Sequence, residues 1–173
     1  MRPEHGWLAV LLLISFLSAC SGDSGTGPVE PRWDRVACER CRMVLSDHHY
    51  AAQIRYLPPG KRRTRVALFD DIGCALLWLQ DKPWKDDPRV RIWVADYRNG
   101  DWIDARKATY IKGKISPMGY GLGAQPEADP KGLNFAQAWQ YIQDEEASDQ
   151  RHAEHLLQRF QALEQQHAAG ATR

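Results

Sequence analysis

The sequence predicts an α+β protein made of two small ββαβ-like modules and a C-terminal helix. Short segments in which apolar and polar residues alternate, bounded by Pro and Gly, indicate β-strands. Segments with apolar residues at positions i, i+3, i+4 and i+7 indicate amphipathic helices. The order of these elements begins again at Asn99-Gly100, although the two halves share no obvious sequence repeat.

The first module, residues 32–98, begins with two predicted strands. Apolar and polar residues alternate over residues 52–56, and a Pro-Pro-Gly turn follows at 58–60. A second alternating segment over residues 64–69 predicts a strand that returns beside the first. The chain therefore starts its folded body with a β-hairpin.

A helix and a third strand complete this module. Asp70 or Asp71 is a candidate N-cap, and Pro83 ends the helix. A strand is predicted from Arg89 to Tyr97, because apolar residues again alternate with charged ones. The helix itself is recognised from four apolar residues at helical spacing: Ile72, Ala75, Leu76 and Leu79.

The second module, residues 99–147, is predicted to contain short strands and then a helix. A Pro-Met-Gly turn presents Met118, since Gly and Pro around it argue against a buried strand centre. The strand signals lie at 102–103, 109–111 and 120–124, and the helix is indicated by Phe135, Ala138, Trp139 and Ile142.

Residues 148–173 are predicted to form a helical tail. An apolar stripe there could dock on the body, pair with a partner or form a short coiled coil. His152 and His155 could bind a metal ion, although two histidines at this spacing are more often simply exposed on the polar face of a helix. The stripe consists of Ala153, Leu156, Leu157, Phe160 and Leu163.

Residues 1–19 are predicted to be a lipoprotein signal peptide. The apolar run over residues 7–17 has the length of a signal-peptide core and is too short to span a membrane. Leu-Ser-Ala-Cys at 17–20 reads as a lipobox, so Cys20 is expected to be acylated; a plain signal peptide cleaved nearby is the alternative. Two or more acyl chains anchor a protein stably. Because Ser21 stands where Asp would favour inner-membrane retention, we expect a periplasm-facing lipoprotein of the bacterial outer membrane.

Residues 20–31, rich in Gly, Ser and Pro, are predicted to be a flexible tether. The 23 basic and 22 acidic residues nearly cancel, so nucleic acid is not expected as a partner. No Ser/His/Asp arrangement, phosphate loop or paired carboxylates indicates an enzyme. Beyond Cys20 the chain has three cysteines, and this odd number argues against a simple disulfide framework.

The segment Cys-Glu-Arg-Cys-Arg-Met places Cys38, Cys41 and Met43 within six residues. Two cysteines at this spacing can share one metal ion, and soft thiolate and thioether ligands select Cu(I). A structural disulfide, a zinc half-site and a redox CxxC would each also explain the cysteines, and Met43 could be ordinary core. Cu(I) is the hypothesis that uses all three sulfurs.

Three further positions are secondary candidates for the metal. Either His48 or His49 could supply a nitrogen ligand, although a tandem pair beside a strand is more often surface. Cys74, near the start of the first helix, could complete a three-sulfur site or be a small buried residue. The Asp70-Asp71 pair is interpreted as a helix cap rather than a site for a hard metal ion.

Several motifs in order resemble those of the NosL family, the copper-binding lipoproteins known as nitrous oxide reductase accessory proteins. They are a lipobox, CxxCxM at 38–43, Ala-Ala-Gln-Ile at 51–54, Phe-Asp-Asp-Ile-Gly-Cys at 69–74, Trp-Ile-Asp-Ala-Arg at 102–106 and Pro-Met-Gly at 117–119. The resemblance covers about residues 32–142. Arg42 occupies a position where the family usually has Gly.

The resemblance implies a monomer of two ββαβ-like modules, similar to the organomercurial lyase fold. It implies that Cu(I) is held by Cys38, Cys41, Met43 and Met118. It also implies delivery of the ion to a copper enzyme, nitrous oxide reductase or its membrane maturation complex. The final strand expected after the second helix is absent, and the helical tail takes its place.

Two other function classes remain open from the sequence. A thiol-disulfide oxidoreductase is one, because CxxC is its usual mark, although no strand leads into the motif and no helix clearly starts there. The other is a structural adaptor lipoprotein in which Cys38 and Cys41 form a disulfide. In an oxidoreductase Met43 would have no role.

Overall fold

The computed structural model describes residue 23 and residues 25–170, without the side chains at 162 and 165–170. The α+β class is confirmed: the described part contains a four-stranded antiparallel sheet, a two-stranded antiparallel sheet and two helices. The predicted signal peptide 1–19 and Cys20 lie outside the described residues. No helix in the described part is both long and apolar enough to cross a bilayer.

The larger sheet has the strand order β2-β1-β3-β4. Its central strand β1, Ala52–Tyr56, pairs with β2, Arg65–Phe69, and with β3, Arg91–Ala95. The edge strand β4, Trp102–Asp104, pairs with β3. The sequence assigned β4 to the second module, whereas the structure makes it part of the first sheet.

A tight turn explains why β4 joins the first sheet. Gly100 has a φ of +82°, a conformation that glycine adopts without steric cost, and its amide donates to the Asp96 carbonyl at 2.8 Å. The turn folds β4 straight back on β3. The predicted boundary between residues 98 and 99 therefore falls inside a hairpin.

The smaller sheet pairs β5, Thr109–Ile111, with β6, Gly123–Gln125. Helix α1 spans Ile72–Gln80, and helix α2 spans Phe135–Gly170. The second predicted helix and the predicted tail are thus one helix of 36 residues. The segment that joins them contains no Gly or Pro, so nothing in the backbone interrupts it.

The core lies between the larger sheet and helix α1, and the first turns of α2 cover it through Ala138 and Ile142. Strand β1 is buried along most of its length, including Gln53 and Arg55. Farther along α2, the apolar stripe is exposed at Leu156, Leu157, Phe160 and Leu163.

The buried polar residues of β1 hold down the N-terminal segment that was predicted to be flexible. The Arg55 guanidinium contacts both carboxylate oxygens of Asp23 at 2.6 and 2.9 Å and the Gly27 carbonyl at 2.8 Å. The Gln53 side chain accepts from the Val29 amide at 2.8 Å and donates to the Val29 carbonyl at 3.1 Å. Asp23, Gly27 and Val29, which fall within the predicted tether of 20–31, are thus held against β1.

Candidate metal centre

Residues 38–43 form the loop of a short hairpin whose arms meet in an antiparallel bridge between Ala37 and Val44. The Cys38 amide donates to the Met43 carbonyl at 2.8 Å, and the Arg42 amide donates to the Cys38 carbonyl at 3.1 Å. The CxxC pair consequently lies in a tight loop and not at the start of a helix.

Arg42 has a φ of +67°, in the left-handed region that favours glycine. This conformation turns the chain after Cys41. Arg42 carries the steric strain that a glycine would avoid. The hydrogen bond from its amide to the Cys38 carbonyl helps to hold it in this conformation. The loop geometry is kept in spite of the side chain.

The loop is fixed against the end of β2, where a second set of potential ligands begins. The Glu39 amide donates to the Leu68 carbonyl at 2.9 Å. Asp70 follows β2 directly, and Cys74 lies in the first turn of α1. The sulfur atoms of the three cysteines and a carboxylate oxygen of Asp70 all lie within 4.8 Å of one another, in a cluster of Cys38, Cys41, Asp70 and Cys74.

Burial distinguishes the members of this cluster. Cys38 and Cys74 are fully buried, whereas Cys41 is partly exposed and its thiol donates to Asp70 Oδ2 at 3.0 Å. Asp70 Oδ1 has no hydrogen-bond partner, alone among the buried side-chain oxygens and nitrogens of the described residues. A buried unpartnered carboxylate oxygen beside three thiols suits a bound cation.

Hydrogen bonds within the cluster shift the pKa values of its three cysteines in different directions. The Cys74 thiol, beside the Cys38 sulfur, lowers the pKa of Cys38 to about 6, because it can donate to the thiolate. The same interaction, together with burial, raises the pKa of Cys74. Burial and the hydrogen bond to Asp70 raise the pKa of Cys41 to about 12. Among the three cysteines, Cys38 is therefore the one that ionises most readily.

Arg40, between the two cysteines of the loop, ties the cluster to helix α2. Its guanidinium donates to Glu146 at 2.6 Å and to the Tyr120 hydroxyl at 3.3 Å, and Tyr120 donates to Glu146 at 2.7 Å. The guanidinium is also within reach of the Cys74 sulfur. A cation is therefore held beside a cluster that becomes strongly negative when its thiols ionise.

The turn that carries Met118 is docked on the first turn of α1. The Ser116 hydroxyl donates to Asp71 Oδ2 at 2.5 Å, and the Met118 amide also donates to this carboxylate. Asp71 in turn caps the helix by accepting from the Gly73 amide at 2.9 Å. Burial raises the pKa of Asp71, and these hydrogen bonds oppose the shift. Met118 therefore approaches the helix end that bears Cys74, with its side chain half-buried against the core.

Close packing reinforces this docking. The Tyr120 ring lies so near Gly73 that a Cβ added there would fall 2.2 Å from the ring. Only a residue without a side chain permits this approach. The turn of the second half and the helix of the first half are thus in direct contact beside the cluster.

The other predicted ligands occupy different places. Met43 is 51% exposed at the end of the loop. His48 stacks on Trp33 with ring centroids 3.8 Å apart, and His49 Nδ1 lies 3.0 Å from the Tyr97 carbonyl oxygen. Neither histidine belongs to the four-residue cluster.

Sequence reasoning interpreted Asp70 as a cap and ranked Cys74 second, whereas the structure places both in the cluster and leaves the capping to Asp71. Asp70 and Cys74 are four residues apart in the sequence, but Asp70 precedes the N-cap Asp71 and lies outside the helix, so helical spacing does not predict that their side chains meet. The approach of the CxxC loop was not readable from this spacing.

Comparison with protein families identifies the family of this chain. The family model NosL matches residues 30–130, a range that contains the whole four-residue cluster and Met118. No curated protein matches the chain.

Proposed function

The chain belongs to the NosL family, and on that basis we propose that it binds Cu(I) outside the cytoplasm and transfers it to a copper enzyme. The observation that carries the proposal is the convergence of Cys38, Cys41, Cys74 and Asp70 within 4.8 Å. Thiolate ligands favour Cu(I) among the common metal ions, and Cu(I) accepts an incomplete set of ligands. The proposed role is that of a carrier and not of an enzyme.

Transfer is favoured by the difference in burial between the three sulfurs. Cys38 and Cys74 hold the ion from inside, and the partly exposed Cys41 forms the accessible edge of the cluster. The backbone amide of Met43 donates to the Cys41 sulfur, so the exposed Met43 lies near the accessible edge of the cluster. A sulfur or nitrogen atom of the recipient could bind as Cys41 leaves, and the ion would not enter water.

Methionine gives the site two further sulfur donors in this proposal. Met43 stands next to the exposed edge, and the turn of Met118 is bonded to the helix that carries Cys74. We propose that they complete the coordination of Cu(I) or receive it during transfer. The hard oxygen of Asp70 is a poor ligand for Cu(I), and we assign Asp70 the role of orienting the Cys41 thiol through the hydrogen bond that this thiol donates to it.

The oxidoreductase alternative is disfavoured by the loop geometry. A lowered thiol pKa in a redox CxxC is usually supported by a helix N-terminus, and this CxxC lies in a hairpin loop. The neighbouring sulfurs of Cys38 and Cys41 could nevertheless be oxidised to a disulfide, which would remove two thiolates. Copper binding should then require prior reduction.

The proposed location is the periplasmic face of the outer membrane, reached through acylation of Cys20. This follows from the lipobox and from Ser21, both outside the described residues. The proposed recipient is a copper enzyme of the periplasm, and family membership favours nitrous oxide reductase or its membrane maturation complex. Transfer of labelled copper to each candidate recipient would distinguish between them.

A Cu(I) titration of the reduced chain tests the proposed function. We expect one ion per chain, and X-ray absorption of the complex should be dominated by sulfur ligands. Zn²⁺ is the matched competitor, because three thiolates and a carboxylate could also form a tetrahedral zinc site. Failure of the reduced protein to bind Cu(I), or displacement of Cu(I) by an equal amount of Zn²⁺, would refute the proposal.

Copper binding should release about two protons per ion near neutral pH, because Cys41 and Cys74 are then thiols and Cys38 is already a thiolate. Since protons compete with the metal for both thiols, the affinity should fall as the pH is lowered. Calorimetry in buffers of different ionisation enthalpy measures the number of protons. Release of three protons would show that Cys38 is also a thiol.

A further inference from the structure

We propose that the loop between β1 and β2 binds an anionic phospholipid bilayer and holds the metal cluster at the opposite end of the sheet, facing away from the membrane. The inference adds an electrostatic contact to the lipid anchor proposed above. Its basis is a basic loop beside the clamped N-terminal segment, together with the direction of the strands.

The basic loop, defined as residues 61–64 of the β1–β2 connection together with Arg65 at the start of β2, carries four cationic side chains: Lys61, Arg62, Arg63 and Arg65. All four are exposed. None of them forms a salt bridge with an acidic side chain of the described residues. Such a cluster attracts phosphate groups on an anionic surface, and each basic residue near the surface strengthens binding.

The clamp by Arg55 brings the start of the described chain to this loop. Arg55 binds Asp23 and also donates to Thr64 Oγ1 at 2.9 Å, and Thr64 donates to the Gly25 carbonyl at 3.1 Å. Asp23 and Gly25 line an open cavity together with Arg62, Arg63 and Thr64. The N-terminal segment therefore leaves the body beside the basic loop.

Cys20 precedes Asp23 by three residues, and three residues span at most about 11 Å. Acyl chains on Cys20 would consequently hold Asp23, which lies beside the loop, within about 11 Å of the lipid headgroups, a distance comparable to the Debye length of about 8 Å at physiological salt. At that distance salt screens the attraction between the loop and the membrane only in part. A body on a flexible tether of twelve residues would not be restricted in this way.

Strand β2 separates the loop from the metal cluster. Arg65, at its start, belongs to the basic loop, and Asp70, directly after its end, belongs to the cluster. A strand rises about 3.3 Å per residue, so the two lie roughly 17 Å apart. A body that rests on the loop presents its cluster to a recipient in the aqueous compartment.

Vesicle binding by the unacylated chain tests this orientation. The protein is residues 20–173 with Cys20→Ser, which retains every residue that the structure describes. The vesicles contain phosphatidylcholine with or without about one third phosphatidylglycerol. We expect binding only to the anionic vesicles, and weaker binding as the salt concentration rises.

The charge variant is Lys61→Gln with Arg62→Gln and Arg63→Gln. Its affinity for anionic vesicles should fall roughly 100-fold, because each basic residue at such a surface contributes about fivefold. A matched variant removes the same charge elsewhere, through Lys107→Gln, Lys131→Gln and Arg151→Gln, and should bind nearly as well as the parent. Equal losses in the two variants, or equal binding to neutral vesicles, would overturn the inference.

Amide hydrogen exchange on and off the vesicles locates the contact. We expect slower exchange at residues 58–65 and no change at 38–43. Protection of the cysteine loop would place the cluster against the membrane and would contradict the orientation. A Cu(I) titration of the charge variant separates the two proposals. Loss of vesicle binding with intact copper binding would show that the substitutions affect the membrane contact and not the metal site.

Discussion

Replacing Cys74 by Ser should weaken Cu(I) binding by about 100-fold or more. Cys74 is fully buried and its sulfur lies in the cluster with Cys38 and Cys41. Loss of a group that only supports a metal ligand already costs 10–100-fold in affinity, and loss of a ligand should exceed that. Competition with a chromophoric Cu(I) chelator under reducing conditions measures the change.

Ala75→Ser is the matched control for this substitution. Ala75 is also fully buried and lies next to Cys74 in α1, outside the cluster. Its replacement buries a hydroxyl group in the same helix and leaves all three sulfurs in place. We expect its Cu(I) affinity to stay near that of the parent. Equal affinity of the Cys74→Ser and Ala75→Ser proteins would mean that Cys74 is a small core residue and not a ligand.

Replacing Asp71 by Ala should lower the free energy of unfolding by about 3 kcal/mol, since it removes a helix cap worth about 1 kcal/mol and leaves buried donors without an acceptor. The donors are the Ser116 hydroxyl and the Met118 amide. The turn that bears Met118 should also loosen from α1. Denaturant unfolding measures the stability, and amide exchange at residues 116–121 measures the loosening.

Asp81→Ala is the control at the other end of the same helix. Asp81 is the exposed C-cap residue, and its replacement should change stability by no more than about 0.5 kcal/mol. A loss for Asp71→Ala no larger than for Asp81→Ala would contradict the role that we give to this carboxylate. Unchanged amide exchange at 116–121 would contradict the link to the turn.

Much of the secondary structure was readable because the physical signals are local. Alternation over 52–56 and 64–69 is confirmed as the two strands of a hairpin, and Asp71 is confirmed as the cap of the first helix. A local pattern depends only on which face of a segment meets the core. It does not say which strand lies beside which, and for that reason β4 was assigned to the wrong sheet.

Local patterns also give no indication of the contacts that the N-terminal segment makes. Gly, Ser and Pro over residues 20–31 predict flexibility, and the composition gives no sign of a partner. The partner is Arg55 in β1. The alternation pattern predicts the strand that contains Arg55, but it does not explain why this charged side chain is buried. A buried guanidinium requires acceptors, and Asp23 and Gly27 supply them.

The sequence by itself determined the family of this protein, through a CxxCxM motif and the motifs that follow it in order. Only the tertiary structure decided which atoms meet. Cys38 and Cys41 lie beside Asp70 and Cys74 because hydrogen bonds, among them the one from the Glu39 amide to the Leu68 carbonyl, fix their loop to the end of β2. Contacts between residues some thirty positions apart depend on sheet pairing and helix docking, and neither is written in the spacing of a motif.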